Sequence, residues 1–211
     1  MIEISSMLQV AQHLQGLKAI VFDLDDTLYS EKEYVRSGYR AIAKQLPQVE
    51  QMEKKLWAAF VDKKSAIDEV LTAEGIYSDE LKQMCLYVYR FHQPDIHLYT
   101  GVSELLQSLR SEGFLLGIIT DGRPEGQRAK IEALGLDALV DHIIITDELG
   151  GIEYRKPNSI AFVLMQETLG VAFEEMCYIG DNMGKDFVAP EMLNMRSIWL
   201  RNPDGIYYNI R

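Results

Sequence analysis

The chain has 211 residues, 47% of them hydrophobic and 25% charged, with a formal net charge of −11. That is enough for one good core and a smaller appended unit, in the proportions of an ordinary globular protein. The acidic balance argues against nucleic acid as the default ligand, because phosphate backbones reward clustered Lys and Arg. No apolar run reaches the roughly 20 residues that a membrane helix needs.

In chain order, the first segment is "MIEISSMLQVAQHLQGL", which carries Glu3 and no basic start and so does not read as a secretory signal. Ser6 caps an expected accessory helix whose Met7, Val10, Ala11 and Leu14 form one apolar stripe. The run "KAIVFDL" over 18–24 is the first expected strand. Residues 29–98 then read as helices over 32–46, 49–73 and 79–91, punctuated by Pro47, Gly75 and Pro94. A crossover helix over 102–111 follows. Four more short apolar runs, "LLGIIT", "HIIIT", "MCYIG" and "SIWL", read as strands over 115–120, 142–146, 176–180 and 197–200. Helical patterns over 125–134, 159–169 and about 184–193 separate them.

Strands alternating with helices, and apolar without a break, imply a parallel sheet covered on both faces. The expected fold is therefore α/β: a Rossmann-like parallel sheet of about five strands with helices on both faces. A βαβ unit takes roughly 30 residues or more, yet here some 90 residues separate the first two strands. The excess reads as an inserted all-helical cap domain, residues 29–98, with 1–28 and 99–211 forming the core. A strand precedes the helices, which excludes an independent N-terminal helical domain.

Ligands of open α/β sheets bind beyond the carboxyl ends of the strands. Those ends carry Asp23 and Asp25, then Thr120 with Asp121, Gly122 and Arg123, then Lys156 at the opening of the helix that follows, then Asp181 and Asp186. Clustered carboxylates repel unless they reach water or share a cation. A calcium loop over "DLDDTLYSEKEY" fails because its sixth position is Leu28 rather than Gly, and "GDNMGK" lacks the four-residue spacer of a phosphate loop. Cys85 and Cys177 match no zinc or redox spacing and read as buried thiols in a reducing cytosol, and the four histidines show no ligand spacing.

The pattern D-x-D-x-T-L in "DLDDTL", a Thr ending the second strand, Lys156-Pro157, and G-D-x-x-x-x-D in "GDNMGKD" resembles the haloacid dehalogenase superfamily, in its phosphatase branch with a helical cap. The match runs over roughly 18–200. The resemblance implies a Mg²⁺-dependent, cytoplasmic phosphatase that acts on a small phosphorylated metabolite. It implies Asp23 as the nucleophile and a metal ligand, and Asp25 as acid and base with its backbone carbonyl on the metal. Asp181 is implied as the distal ligand and Asp186 as a second ligand or an orienting group. Thr120 and the backbone of Asp121 and Gly122 are implied to cradle phosphate, while Lys156 restrains Asp23 and stabilises negative charge.

Asp121 departs from the Asn common at that place, and Arg123 reads either as neutralising it or binding substrate, or as simply exposed to solvent. Asp26 reads as a loop-holding residue rather than a catalytic one. Lys32, Arg36 and Arg40 repeat at helical spacing and read as a solvated face. A phosphomutase shares the same core motifs. A receiver module, which carries its phospho-acceptor on the third strand, has no room for a cap. The motifs name no particular substrate and no oligomeric state.

Overall fold

Short β-branched runs form strands because their side chains pack well on a pleated surface. The computed structural model, which describes residues 1–206 and 208, shows this pattern throughout. In chain order its elements are β1 (Ile2–Ile4), a 3₁₀ segment (Met7–His13), β2 (Ala19–Phe22), α1 (Glu31–Gln45), α2 (Met52–Val61), α3 (Ala66–Ala73), α4 (Asp79–Phe91) and α5 (Val102–Ser111). Then come β3 (Leu115–Thr120), α6 (Pro124–Ala133), β4 (His142–Ile145), α7 (Ile160–Leu169), β5 (Met176–Gly180), α8 (Val188–Met192) and β6 (Arg196–Leu200). Two compact units result: Met1–Glu31 with His97–Arg211, and Lys32–Ile96. Among the described residues no helix is long and apolar enough to cross a membrane.

The first unit holds a parallel sheet in the order β1-β6-β5-β2-β3-β4. Ala19, Ile20, Val21 and Phe22 alternate between its two faces, yet all four are inaccessible to water; both faces of β2 are covered, as a parallel sheet requires. On one face Ala19, Val21, Ile119 and Tyr178 pack with Phe162 and Met165 of α7. Gly117 lets α7 approach β3, since a Cβ there would stand 2.6 Å from the Met165 sulfur.

The sixth strand, β1, was not expected. Three residues are too few to show a period of two, and only pairing with β6 makes them a strand. The expected accessory helix is a 3₁₀ segment capped by Ser6, whose partner in the capping box is Gln9.

The second unit is all helical. Val35, Tyr39, Ile42, Leu56, Leu71 and Cys85 lie in its core, and Tyr89 packs on Tyr34 and Tyr39 at ring separations of 5.7 and 5.8 Å. The long helix expected over 49–73 is two helices, α2 and α3. The polar run "DKKS" breaks it: Lys63 turns left-handed at φ 57° and Lys64 closes back on the Ala59 carbonyl.

Candidate active site

The strand order makes β2 the point from which the chain first builds one side of the sheet, β3 and β4, and later the other, β5 and β6. A crevice opens at such a reversal, just past the strands' carboxyl ends. Asp23 leaves β2 there, and its N–H still donates to the Ile179 carbonyl at 2.8 Å. Asp181 leaves β5 beside it. Asp186 returns to the same place because its Oδ2 accepts the Asn182 N–H at 2.9 Å, closing the turn ahead of α8. That turn, tightened by Asn182 Oδ1 on the Gly184 N–H, displaces the helix expected from about residue 184 to Val188.

Carboxylate oxygens of Asp23, Asp181 and Asp186 all lie within 4.8 Å of one another. Lys156, its side chain wholly buried, donates to Asp23 Oδ1 and to the Tyr178 hydroxyl at 2.8 Å, and stands 2.8 Å from Asp186 Oδ1. Contrary to expectation, Lys156 does not open α7, which begins at Ile160. A carboxylate rather than a helix end holds it: Asp121 Oδ1 accepts the Lys156 backbone N–H at 3.0 Å.

Burial pushes the Asp23 carboxyl up, Lys156 pulls it back, and it comes to about 6. Burial and the neighbouring Asp23 and Asp186 charges raise Asp181 to about 9. Burial alone would depress the Lys156 ammonium, but Asp186 and Asp23 carry it well above its ordinary value. Three carboxylates thus share one buried ammonium. Among the described residues, none donates a hydrogen bond to the Asp181 carboxylate. An all-oxygen set with surplus negative charge suits a hard divalent cation such as Mg²⁺.

Asp25, two residues beyond Asp23, stands apart from this cluster. Its Oδ1 accepts from Lys130 at 2.7 Å and from the Tyr29 hydroxyl, and its Oδ2 accepts from Gln127 at 2.9 Å. Burial pushes its carboxyl up, but Lys130 with these hydrogen bonds outweighs burial, and the net shift is downward. Asp26 is left-handed at φ 54° and holds the loop, accepting the N–H of Glu31 at 2.9 Å and of Ile206 at 2.7 Å.

Thr120, fully buried, ends β3 and accepts from Gln127. Asp121 binds Thr146 at 2.9 Å and Lys185 at 2.9 Å in addition to the Lys156 backbone. Lys185 therefore neutralises Asp121, and Arg123, exposed at the start of α6, does not. Gly122 takes φ 140°, and a Cβ there would press on the Gln127 side chain at 3.2 Å.

Sequence reading missed Gln127, Lys130, Lys185, Tyr178 and Glu31, whose carboxyl burial and Asp25 raise to about 8. One signal was available. Gln127 and Lys130 occupy, with Ile131, the buried stripe of α6, where an amphipathic helix ordinarily places apolar residues.

The haloacid dehalogenase-like hydrolase family model matches residues 20–200. The chain belongs to this family. The "Glyceraldehyde 3-phosphate phosphatase" of Methanocaldococcus jannaschii is 27% identical over 199 residues, covering 86% of this chain and 84% of its own. The protein of the same name from Methanopyrus kandleri is 28% identical over 200 residues, covering 88% and 84%. A haloacid dehalogenase-family hydrolase of Bacillus subtilis, solved bound to magnesium, shares the fold with a TM-score of 0.64 at 21% identity, covering 87% of this chain and 86% of that one. The haloacid dehalogenase resemblance drawn from the motifs is thus met, and the relatives just named are phosphatases.

Proposed function

We propose that the chain is a cytoplasmic, Mg²⁺-dependent phosphatase acting on a small phosphorylated metabolite through an aspartyl-phosphate on Asp23. The observation that carries this reading is the Asp23 carboxylate at the switch point of the sheet, bonded to Lys156 and close to Asp181 and Asp186. Asp23, Asp181 and Asp186 would hold the cation, together with the Asp25 carbonyl. Bound there, the cation would offset the repulsion between an attacking carboxylate and a phosphate dianion.

In the first half-reaction an Asp23 oxygen attacks phosphorus, the bond from phosphorus to the ester oxygen breaks, and Asp25 gives that oxygen its proton. The arriving dianion favours the protonated form of Asp25. In the second, the Asp25 carboxylate takes a proton from water, the water oxygen attacks phosphorus, and the bond to Asp23 breaks. Lys156 restrains Asp23 and opposes the charge that builds on phosphate oxygens. Thr120, the backbone N–H groups of Asp121 and Gly122, and Arg123 receive the phosphate ahead of α6, where the helix dipole favours an anion. Every residue in these roles belongs to the first unit; the helical unit Lys32–Ile96, as a cap, would select the rest of the substrate.

The test is phosphate release from a panel of esters, headed by glyceraldehyde 3-phosphate because of the relatives' name and including an aryl phosphate. We expect turnover with Mg²⁺, none with chelator, and none from Asp23→Asn. Full activity in that variant, or in chelator, overturns the reading.

A further inference from the structure

The Asp25 carboxylate is gripped from α6. Lys130 reaches Oδ1 at 2.7 Å and Gln127 reaches Oδ2 at 2.9 Å. The same Gln127 nitrogen also lies within hydrogen-bond distance of Thr120 Oγ1 and of the Asp121 carbonyl, the latter at 3.0 Å. Gln127 thus ties the carboxylate after β2 to the residues that end β3. Its carboxamide fits because Gly122 has no Cβ to obstruct it.

Stability alone gives no reason for this arrangement. Lys130 and Gln127 are 6% and 3% exposed, on the buried face of α6. Well-packed apolar residues in place of a buried ion pair are often neutral or stabilising. What the polar pair supplies, and an apolar pair would not, is a fixed orientation of both Asp25 oxygens. We propose that Gln127 and Lys130 are positioning residues that aim the Asp25 carboxylate at the leaving oxygen and take no part in attack by Asp23.

The inference rests on the phosphatase reading, and within it the two half-reactions can be separated. The ratio kcat/KM reports events up to release of the leaving alcohol, the step in which Asp25 gives up its proton. An alkyl alkoxide leaves poorly without that proton, whereas p-nitrophenolate needs little help. Gln127→Leu and Lys130→Met are therefore expected to lower kcat/KM on the order of 100-fold for glycerol 2-phosphate, and less than about 10-fold for p-nitrophenyl phosphate. The Mg²⁺ concentration for half-activity should stay as in the wild type.

Equal losses on the two esters, or no loss on either, would overturn the proposal, because a merely structural defect does not sense the leaving group. Asp25→Asn/Lys130→Met guards against misfolding of the single variant, since it removes both charges together. Adding Lys130→Met to Asp25→Asn should cost nothing further on p-nitrophenyl phosphate; a further drop on the order of 10-fold also refutes the proposal. Failure of the phosphatase reading looks different: the wild-type chain would release no phosphate from either ester.

Discussion

Replacing Lys156 by Met probes the charge arrangement on which the active site depends. Its ammonium stands 2.8 Å from Asp186 Oδ1 and also donates to Asp23, with no side-chain surface exposed. At an effective dielectric of about 20, one such contact is worth roughly 6 kcal/mol before desolvation is subtracted. Burying the ammonium costs several kcal/mol in return. The net loss on removing one partner of a buried pair is about 3–5 kcal/mol, because the carboxylates are left without a counter-charge. Methionine fills much the same volume, so little of that loss comes from a cavity. For a chain of this size each kcal/mol moves the melting temperature by about 2–4 °C, and the variant should melt roughly 6–20 °C below the wild type in chelator. Mg²⁺ should then raise the melting temperature of Lys156→Met by more than it raises that of the wild type, since the cation supplies the missing positive charge. Thermal unfolding by circular dichroism, with chelator and with Mg²⁺, measures both quantities. Melting within 2 °C of the wild type in chelator, or a smaller Mg²⁺ response in the variant, refutes the reasoning.

Gly180→Ala places a Cβ 2.5 Å from Asp186 Oδ2. Asp186 is fully buried and has nowhere to retreat, so Mg²⁺ affinity should fall about 10- to 100-fold in calorimetric titration; an unchanged affinity would mean that Asp186 does not shape the cation site. Burial raises the Cys177 thiol to about 12 and also raises Cys85. Neither should be alkylated by iodoacetamide at pH 8 until the chain is unfolded, and rapid labelling of Cys177 in the native protein would show that β5 opens locally.

The sheet was legible where hydrophobic runs were long enough to carry a pattern. Runs such as "LLGIIT" and "MCYIG" mark β3 and β5, and Gly170, left-handed at φ 66°, ends α7 where glycine is cheapest. β1 was illegible because only the hydrogen bonds to β6, nearly two hundred residues away, define it. The break between α2 and α3 was written in "DKKS", but helical periodicity on either side masked it. Within the site, residues at strand ends could be listed from order alone. Gln127, Lys130 and Lys185 could not, because each is defined by a carboxylate more than sixty residues distant that folding brings within 3 Å.

These lysines explain how one crevice accommodates so many acids. Asp25 has Lys130 at 2.7 Å, and Asp121 has Lys185 at 2.9 Å. Those two carboxylates are compensated by the chain itself: Asp121 orients the Lys156 backbone, and Asp25 is the proton carrier of the proposed reaction. Asp23 and Asp186 are in contact with Lys156, and Lys185 acts on them only from a distance. Fully ionised, as a bound cation would hold them, Asp23, Asp181 and Asp186 would set three negative charges against that one adjacent ammonium. In that ionised state the charge in excess of Lys156 is two, on the group whose oxygens converge. A monovalent ion would leave half of that excess in place, whereas a divalent one would cancel it, and on the phosphatase reading a phosphate dianion could then approach Asp23 without net repulsion. On the proposed reading, division of the acids into matched pairs and one unmatched cluster is what would turn a chain of net charge −11 into a receptor for an anion.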